Sequence, residues 1–140
     1  MVKKIIIPIF ILLFGLLVFL LFLNKDKETT MECLIRSNLV DGDSEQKYIF
    51  KGINDTIKTQ ELYVDLEVNS EELVNNYERI LREDNKCSDI KINGRNITYK
   101  CSYDLTKDHY YSDIEDKSGK LSFSKLKESF ESNDFICNYK

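Results

Sequence analysis

Residues 5 to 23 (IIIPIFILLFGLLVFLLFL) hold 17 large apolar residues, broken only by Pro8 and Gly15. No other feature restricts the chain so strongly. A helix of that length covers about 28 Å at ~1.5 Å per residue, close to the ~30 Å hydrocarbon core of a bilayer. At roughly −0.3 to −0.6 kcal/mol per Leu, Ile, Phe or Val, the run favours insertion by roughly 5 to 10 kcal/mol. Pro8 falls in the first turn, where its missing N–H has no helical partner to lose. A cleaved signal would need a shorter apolar stretch, of about 7 to 15 residues, and small residues after it. The following residues, Leu23-Asn24-Lys25-Asp26-Lys27, offer no such pair. Lipidation would need a cysteine directly after the run, whereas Cys33 follows Glu32 well beyond Leu23. The run is therefore expected to be an uncleaved single-span anchor in a lipid bilayer.

The remainder is a different material. All 24 acidic residues lie beyond position 24, against 18 lysines and arginines, so that part carries a net charge of −6. An acidic domain has no electrostatic footprint for nucleic acid. Orientation is not settled by the flanking charges, because Lys3 and Lys4 face Lys25 and Lys27 across the span. The four cysteines break the tie: in a small tethered domain they fit two disulfides in an oxidising compartment. The expected organisation is a cytoplasmic tip and anchor over 1–24, a polar stalk over 25–30, and one extracytoplasmic domain over 31–140.

Within that domain the hydrophobic period alternates between two and about 3.6. Cys33-Leu34-Ile35 and Tyr48-Ile49-Phe50 are β-prone runs around Asp41-Gly42-Asp43-Ser44, which predicts a hairpin turn. From Ile57 to Val68, Leu62, Val64, Leu66 and Val68 alternate with Asp65 and Glu67, the pattern of a half-buried strand. Asn69 or Ser70 then caps a helix over 70–84, with Leu73, Val74, Tyr77, Ile80 and Leu81 assigned to one face. Ile90 and Ile92 precede Asn93-Gly94, and Ile97, Tyr99 and Cys101 follow it, a hairpin signal. Residues 104–120 are polar and carry no periodic pattern. Phe123, Leu126 and Phe130 place a second helix near 122–132, and Phe135 to Tyr139 forms a last strand. The order βββαββαβ predicts an α+β domain with two helices packed on an antiparallel sheet.

Cys87 and Cys101 flank the Asn93-Gly94 hairpin, and Cys33 and Cys137 open and close the domain, so the pairs Cys87–Cys101 and Cys33–Cys137 are expected. No motif marks a metal or a cofactor: there is no C-x-x-C, and His109 is the only histidine. A histidine mechanism would have to use it, together with acids such as Asp104, Asp108, Asp113, Glu115 and Asp116, and no motif marks a nucleophile. A cation-binding or hydrolytic role for that segment is the alternative to simple binding. Alternation places Tyr63, Tyr77 and Tyr99 as ordinary sheet or helix residues. Tyr110, Tyr111 and Asp113, in the polar segment, are the candidate binding surface, since tyrosine offers apolar area with a polar tip.

Cys33, Tyr48-Ile49-Phe50, Cys101-Ser102-Tyr103-Asp104-Leu105, and Leu126-Lys127-Glu128-Ser129-Phe130 through Asp134-Phe135-Ile136-Cys137 together resemble the YehR-like small membrane-anchored extracytoplasmic proteins of bacteria. The resemblance covers most of 31–139 and implies an extracytoplasmic location and an α+β fold, not a chemistry. The lipidation site of those proteins is missing here, so the apolar run takes its place. The expected function is non-enzymatic binding of a protein, a peptide or an envelope component.

Overall fold

The computed structural model describes residues 15, 16, 18–20, 26–40 and 42–140. Most of the apolar run, and with it the expected anchor, lies outside the described residues. Gly15, Leu16 and residues 18–20 are helical, and among the described residues no helix is long and apolar enough to cross a membrane.

The rest is an antiparallel α+β fold. In chain order the elements are β1 (Glu28–Leu39), β2 (Gly42–Ile53), β3 (Thr56–Val68), α1 (Glu71–Glu83), β4 (Cys87–Asn93), β5 (Asn96–Asp104), α2 (Phe123–Glu131) and β6 (Ile136–Tyr139). The six strands run β4-β5-β3-β2-β1-β6 across one sheet. β1 starts at Glu28, so Glu28, Thr29 and Thr30 belong to the sheet and not to the expected stalk. Their partners are Ile53, Gly52 and Lys51 of β2, whose backbone groups they satisfy. The first turn also differs. Asp43 and Ser44 are paired strand residues, opposite Asn38 and Ser37. Gly42 explains the shift: its φ is +145°, and a Cβ there would come within 1.7 Å of the Glu67 carbonyl oxygen, so β2 begins pressed against β3.

One face of the sheet carries both helices. Along β3 the even positions Leu62, Val64, Leu66 and Val68 point to it. A bulge at Lys58, between the pairs Lys51–Thr59 and Gly52–Ile57, lets Ile57 join them on that side. Ser70 caps α1 by accepting from the Leu73 amide at 3.3 Å. The helix buries Val74 and Leu81 on the sheet and leaves Ile80 55% exposed. Ile80 lies about 120° around the helix from Val74, outside the buried stripe.

Two cores result. Under α2, Met31, Phe50, Ile57, Phe123, Leu126 and Phe130 pack with Cys33 and Cys137. Under α1, Val64, Leu66, Val68, Val74, Leu81 and Ile97 pack together. The two edge strands are the stapled ones. Cys33 and Cys137 face each other across β1 and β6 and form a disulfide, as do Cys87 and Cys101 across β4 and β5. Each edge strand is thus covalently tied to its only neighbour. That limits the fraying that leaves edges open to strand exchange.

Candidate functional site

Among the described residues, α1 and α2 both pack on one face of the sheet and leave the opposite face to the side chains of the strands. It is built from the odd positions of β2 and β3 and the even positions of β5. Lys47, Tyr63 and Lys100 lie in one row across β2, β3 and β5. The Tyr63 ring is flanked by both ammonium groups, with Lys47 Nζ 5.0 Å and Lys100 Nζ 5.2 Å from its centroid. The Tyr63 hydroxyl donates to Glu61 Oε2 at 3.2 Å, and Lys100 Nζ donates to Glu61 Oε1 at 3.1 Å. Lys51 approaches the same carboxylate at 3.6 Å. Burial alone would raise the Glu61 carboxyl, but the Lys100 ammonium bonded to it, aided by Lys51 and Tyr63, holds it below its ordinary range. Its bond to Glu61, in turn, raises the Lys100 ammonium.

Beside this row the twisted sheet forms an open hollow of about 310 Å³, with Lys47, Tyr63, Asp65, Lys91, Thr98 and Lys100 on its walls. Both charge signs alternate around one aromatic ring. Such a surface suits a polar partner that presents an apolar or aromatic group at its centre.

The polar segment 104–120 divides the residues assigned to it. Tyr111 is half-buried against the core: its hydroxyl donates to Gln60 Oε1 at 2.6 Å and its ring packs edge-on against Phe50. Burial pushes its phenol well above the ordinary range. Gln60 is itself 5% exposed, so the bond satisfies a buried amide oxygen. Tyr110 is 53% exposed and rests edge-on against Tyr103. Lys86 sits over both rings, bonds the Tyr110 hydroxyl, and reaches Asp108 at 2.8 Å. Those bonds, Asp108 first, raise the Lys86 ammonium above its ordinary range. Tyr110 is thereby part of a clasp that fastens the segment to β4 and β5. Asp113 is exposed on the same segment.

His109 Nδ1 meets the Glu115 carboxylate at 2.9 Å, a base held by an acid. Among the described residues no serine, threonine or cysteine is bonded to the imidazole, and no three His, Cys, Asp or Glu side chains converge as metal ligands. The sheet tyrosines, expected to be ordinary strand residues, sort by phase. Tyr63 is in step with Asp65 and Glu67, which already marked it for the uncovered face. Tyr99 is in step with Ile97 and Cys101 on the covered face, where burial pushes its phenol up to about 12.

Comparison with family models, with curated proteins and with solved structures finds no match for this chain.

Proposed function

We propose that the chain is a membrane-tethered extracytoplasmic domain, N-terminus inside, that binds a protein, a peptide or an envelope component without catalysis. The uncovered sheet face around Tyr63 is its binding surface. The observation that carries this reading is the row Lys47–Tyr63–Lys100 beside an open hollow, on a stapled sheet whose other face already holds both helices. A rigid sheet presents such a row at little ordering cost, since its backbone is fixed before any partner arrives. The apolar run and the resemblance to YehR-like proteins support the tether and the compartment.

The alternative is a cation-binding or hydrolytic role for the segment around His109, and the His109–Glu115 pair is the observation in its favour. The two readings separate by substitution in the full chain, with partner capture by cross-linking in intact cells as the readout. Tyr63→Ser is expected to abolish capture, while His109→Ala combined with Asp113→Asn leaves it intact. The reverse pattern overturns the proposal. Placement is tested by an impermeant thiol reagent applied to intact cells. No labelling before reductant and full labelling after it are expected, and four thiols labelled only after lysis would refute the extracytoplasmic location.

A further inference from the structure

The two edge strands of the sheet are finished differently. β4 is blunted. The Ser102 amide donates to the Lys86 carbonyl, so the next residue, Cys87, turns its amide off the edge, where the Asp84 carbonyl takes it at 3.2 Å. A bulge interrupts the strand between Ser88 and Lys91, with Asp89 at φ +54°, and Asp89 and Lys91 place exposed charges along it. Bulges and charges are devices that keep an edge from pairing with another chain. β6 has none of them. Its residues, Ile136-Cys137-Asn138-Tyr139, include no charge and no proline, its register with β1 is unbroken, and Ile136 and Tyr139 are 67% and 51% exposed.

One backbone bond fixes which groups of β6 are open. The Lys140 amide donates to the Thr30 carbonyl at 3.0 Å. In an antiparallel pair a residue turns its N–H and C=O to one side, and its two neighbours turn theirs to the other. Ile136, Asn138 and Lys140 therefore bond β1, opposite Leu34, Glu32 and Thr30, while Cys137 and Tyr139 turn their backbone groups off the sheet. The Cα atoms of Cys33 and Cys137, 4.1 Å apart, agree with this phase, because the non-hydrogen-bonded pair is the closer of the two kinds. Among the described residues nothing bonds the backbone amide or carbonyl of Cys137 or Tyr139.

Two donors and two acceptors thus stand in line, with Cys137 and Tyr139 about 6.8 Å apart at ~3.4 Å per residue. An extended chain repeats an outward donor and acceptor at that same interval, whereas a helix spends its own internally. The template is also fixed. The Cys33–Cys137 bond holds β6 on β1, so an incoming strand adds outside β6 and cannot displace it. Side chains on both faces of the edge are apolar. Ile136 lies opposite Leu34 on the Tyr63 side, and the Tyr139 ring lies 6.3 Å from that of Phe123 on the helix side. The row from Ile136 and Leu34 continues through Lys47 to Tyr63, so the edge adjoins the proposed binding face.

We infer that β6 takes an added antiparallel strand from a partner protein, an extended and uncharged segment that pairs with Cys137 and Tyr139. Each of these two residues exchanges two bonds with the residue opposite it. In strand addition the main chain supplies affinity and alternate side chains supply selectivity. Here a side chain opposite Ile136 meets Ile136 and Leu34, and one opposite Tyr139 meets its ring. The edge is a second surface and stands without the Tyr63 face: it holds a partner's backbone, whereas the Tyr63 row meets side chains.

The experiment uses the full chain in detergent micelles and an uncharged probe, the peptide acetyl-Thr-Val-Thr-Val-Thr-Val-amide, in excess. A copy of the peptide methylated on every amide nitrogen, which cannot donate, is the control. Amide hydrogen exchange is read residue by residue. The expected result is exchange at Cys137 and Tyr139 slowed at least about threefold by the peptide, with β4 unchanged and no slowing by the methylated copy. Tyr139→Pro removes one outward donor and leaves the bonds of Ile136, Asn138 and Lys140 to β1 in place, so slowing at Cys137 is expected to disappear. Tyr63→Ser is expected to leave it intact. Exchange unaltered by the peptide, equal slowing by the methylated copy, or equal slowing along β4 overturns the inference. Slowing that is lost with Tyr63→Ser puts the peptide on the sheet face and overturns the edge as well.

Discussion

Under α2 the core joins Met31 and Phe50 of the first two strands to Phe123, Phe130 and Cys137, far along the chain. Under α1 it joins six aliphatic residues that all lie between positions 64 and 97. The first core is aromatic and assembled from distant segments, with Phe130 and Phe135 rings 4.4 Å apart and Phe50 edge-on to Phe130. The second is aliphatic and nearly contiguous. Closing a long loop costs entropy before its contacts repay it, so the α2 core is the more dependent on covalent help. The disulfides are placed accordingly. Cys33–Cys137 spans 104 positions and is buried within the α2 core, whereas Cys87–Cys101 spans 14 and ties one hairpin beside the α1 core.

Breaking each staple tests this contrast most strongly. Replacing Cys33 and Cys137 with Ala is expected to cost about 4.7 kcal/mol on the chain-entropy account, against about 3 kcal/mol for Cys87 and Cys101. Urea unfolding of the two variants measures both; equal losses would erase the difference between the two ends of the sheet. Next in size, Phe130→Ala is expected to cost roughly 3 to 5 kcal/mol through the cavity it leaves. Hydrogen exchange should show protection lost first in β6 and β1 and retained in β4 and β5, since the two cores are separate. Uniform loss would mean that they unfold as one.

Smaller effects sharpen the picture at the surface. Lys86→Met removes the clasp on Asp108 and Tyr110, and faster amide exchange over 108–116 with the strands unchanged is the expected result. For Glu61→Gln the expected cost at neutral pH is within about 1 kcal/mol, because the pair with Lys100 is partly solvated. The Glu61 carboxyl is held below its ordinary value of 4.5, so its contribution is present above that pH and fades as pH falls through the lowered value. Acid titration of stability should therefore be flatter in the Gln variant than in the parent.

The alternation of Leu62, Val64, Leu66 and Val68 and the Asn93-Gly94 turn were legible because each is a local pattern with a local cause. The cysteine pairs were legible for the same reason, since each pair flanks an element that the pattern already located. Tyr111 was not. Its burial depends on Gln60, 51 positions away, and nothing in Tyr110-Tyr111 says which ring will turn inward. The His109–Glu115 pair was hidden in a segment without periodicity. Tyr63 was visible in phase but not in consequence, because alternation separates two faces without saying which one receives the helices.

The proposed binding surface of the tethered domain is the sheet face around Tyr63. A photo-cross-linking residue placed at Thr98, on the wall of the hollow, and separately at Asn75, exposed on α1, tests it in intact cells. The expected result is a discrete adduct from position 98 that disappears with Tyr63→Ser, and none from position 75. An adduct from position 75 alone, or one from position 98 that survives Tyr63→Ser, would contradict it.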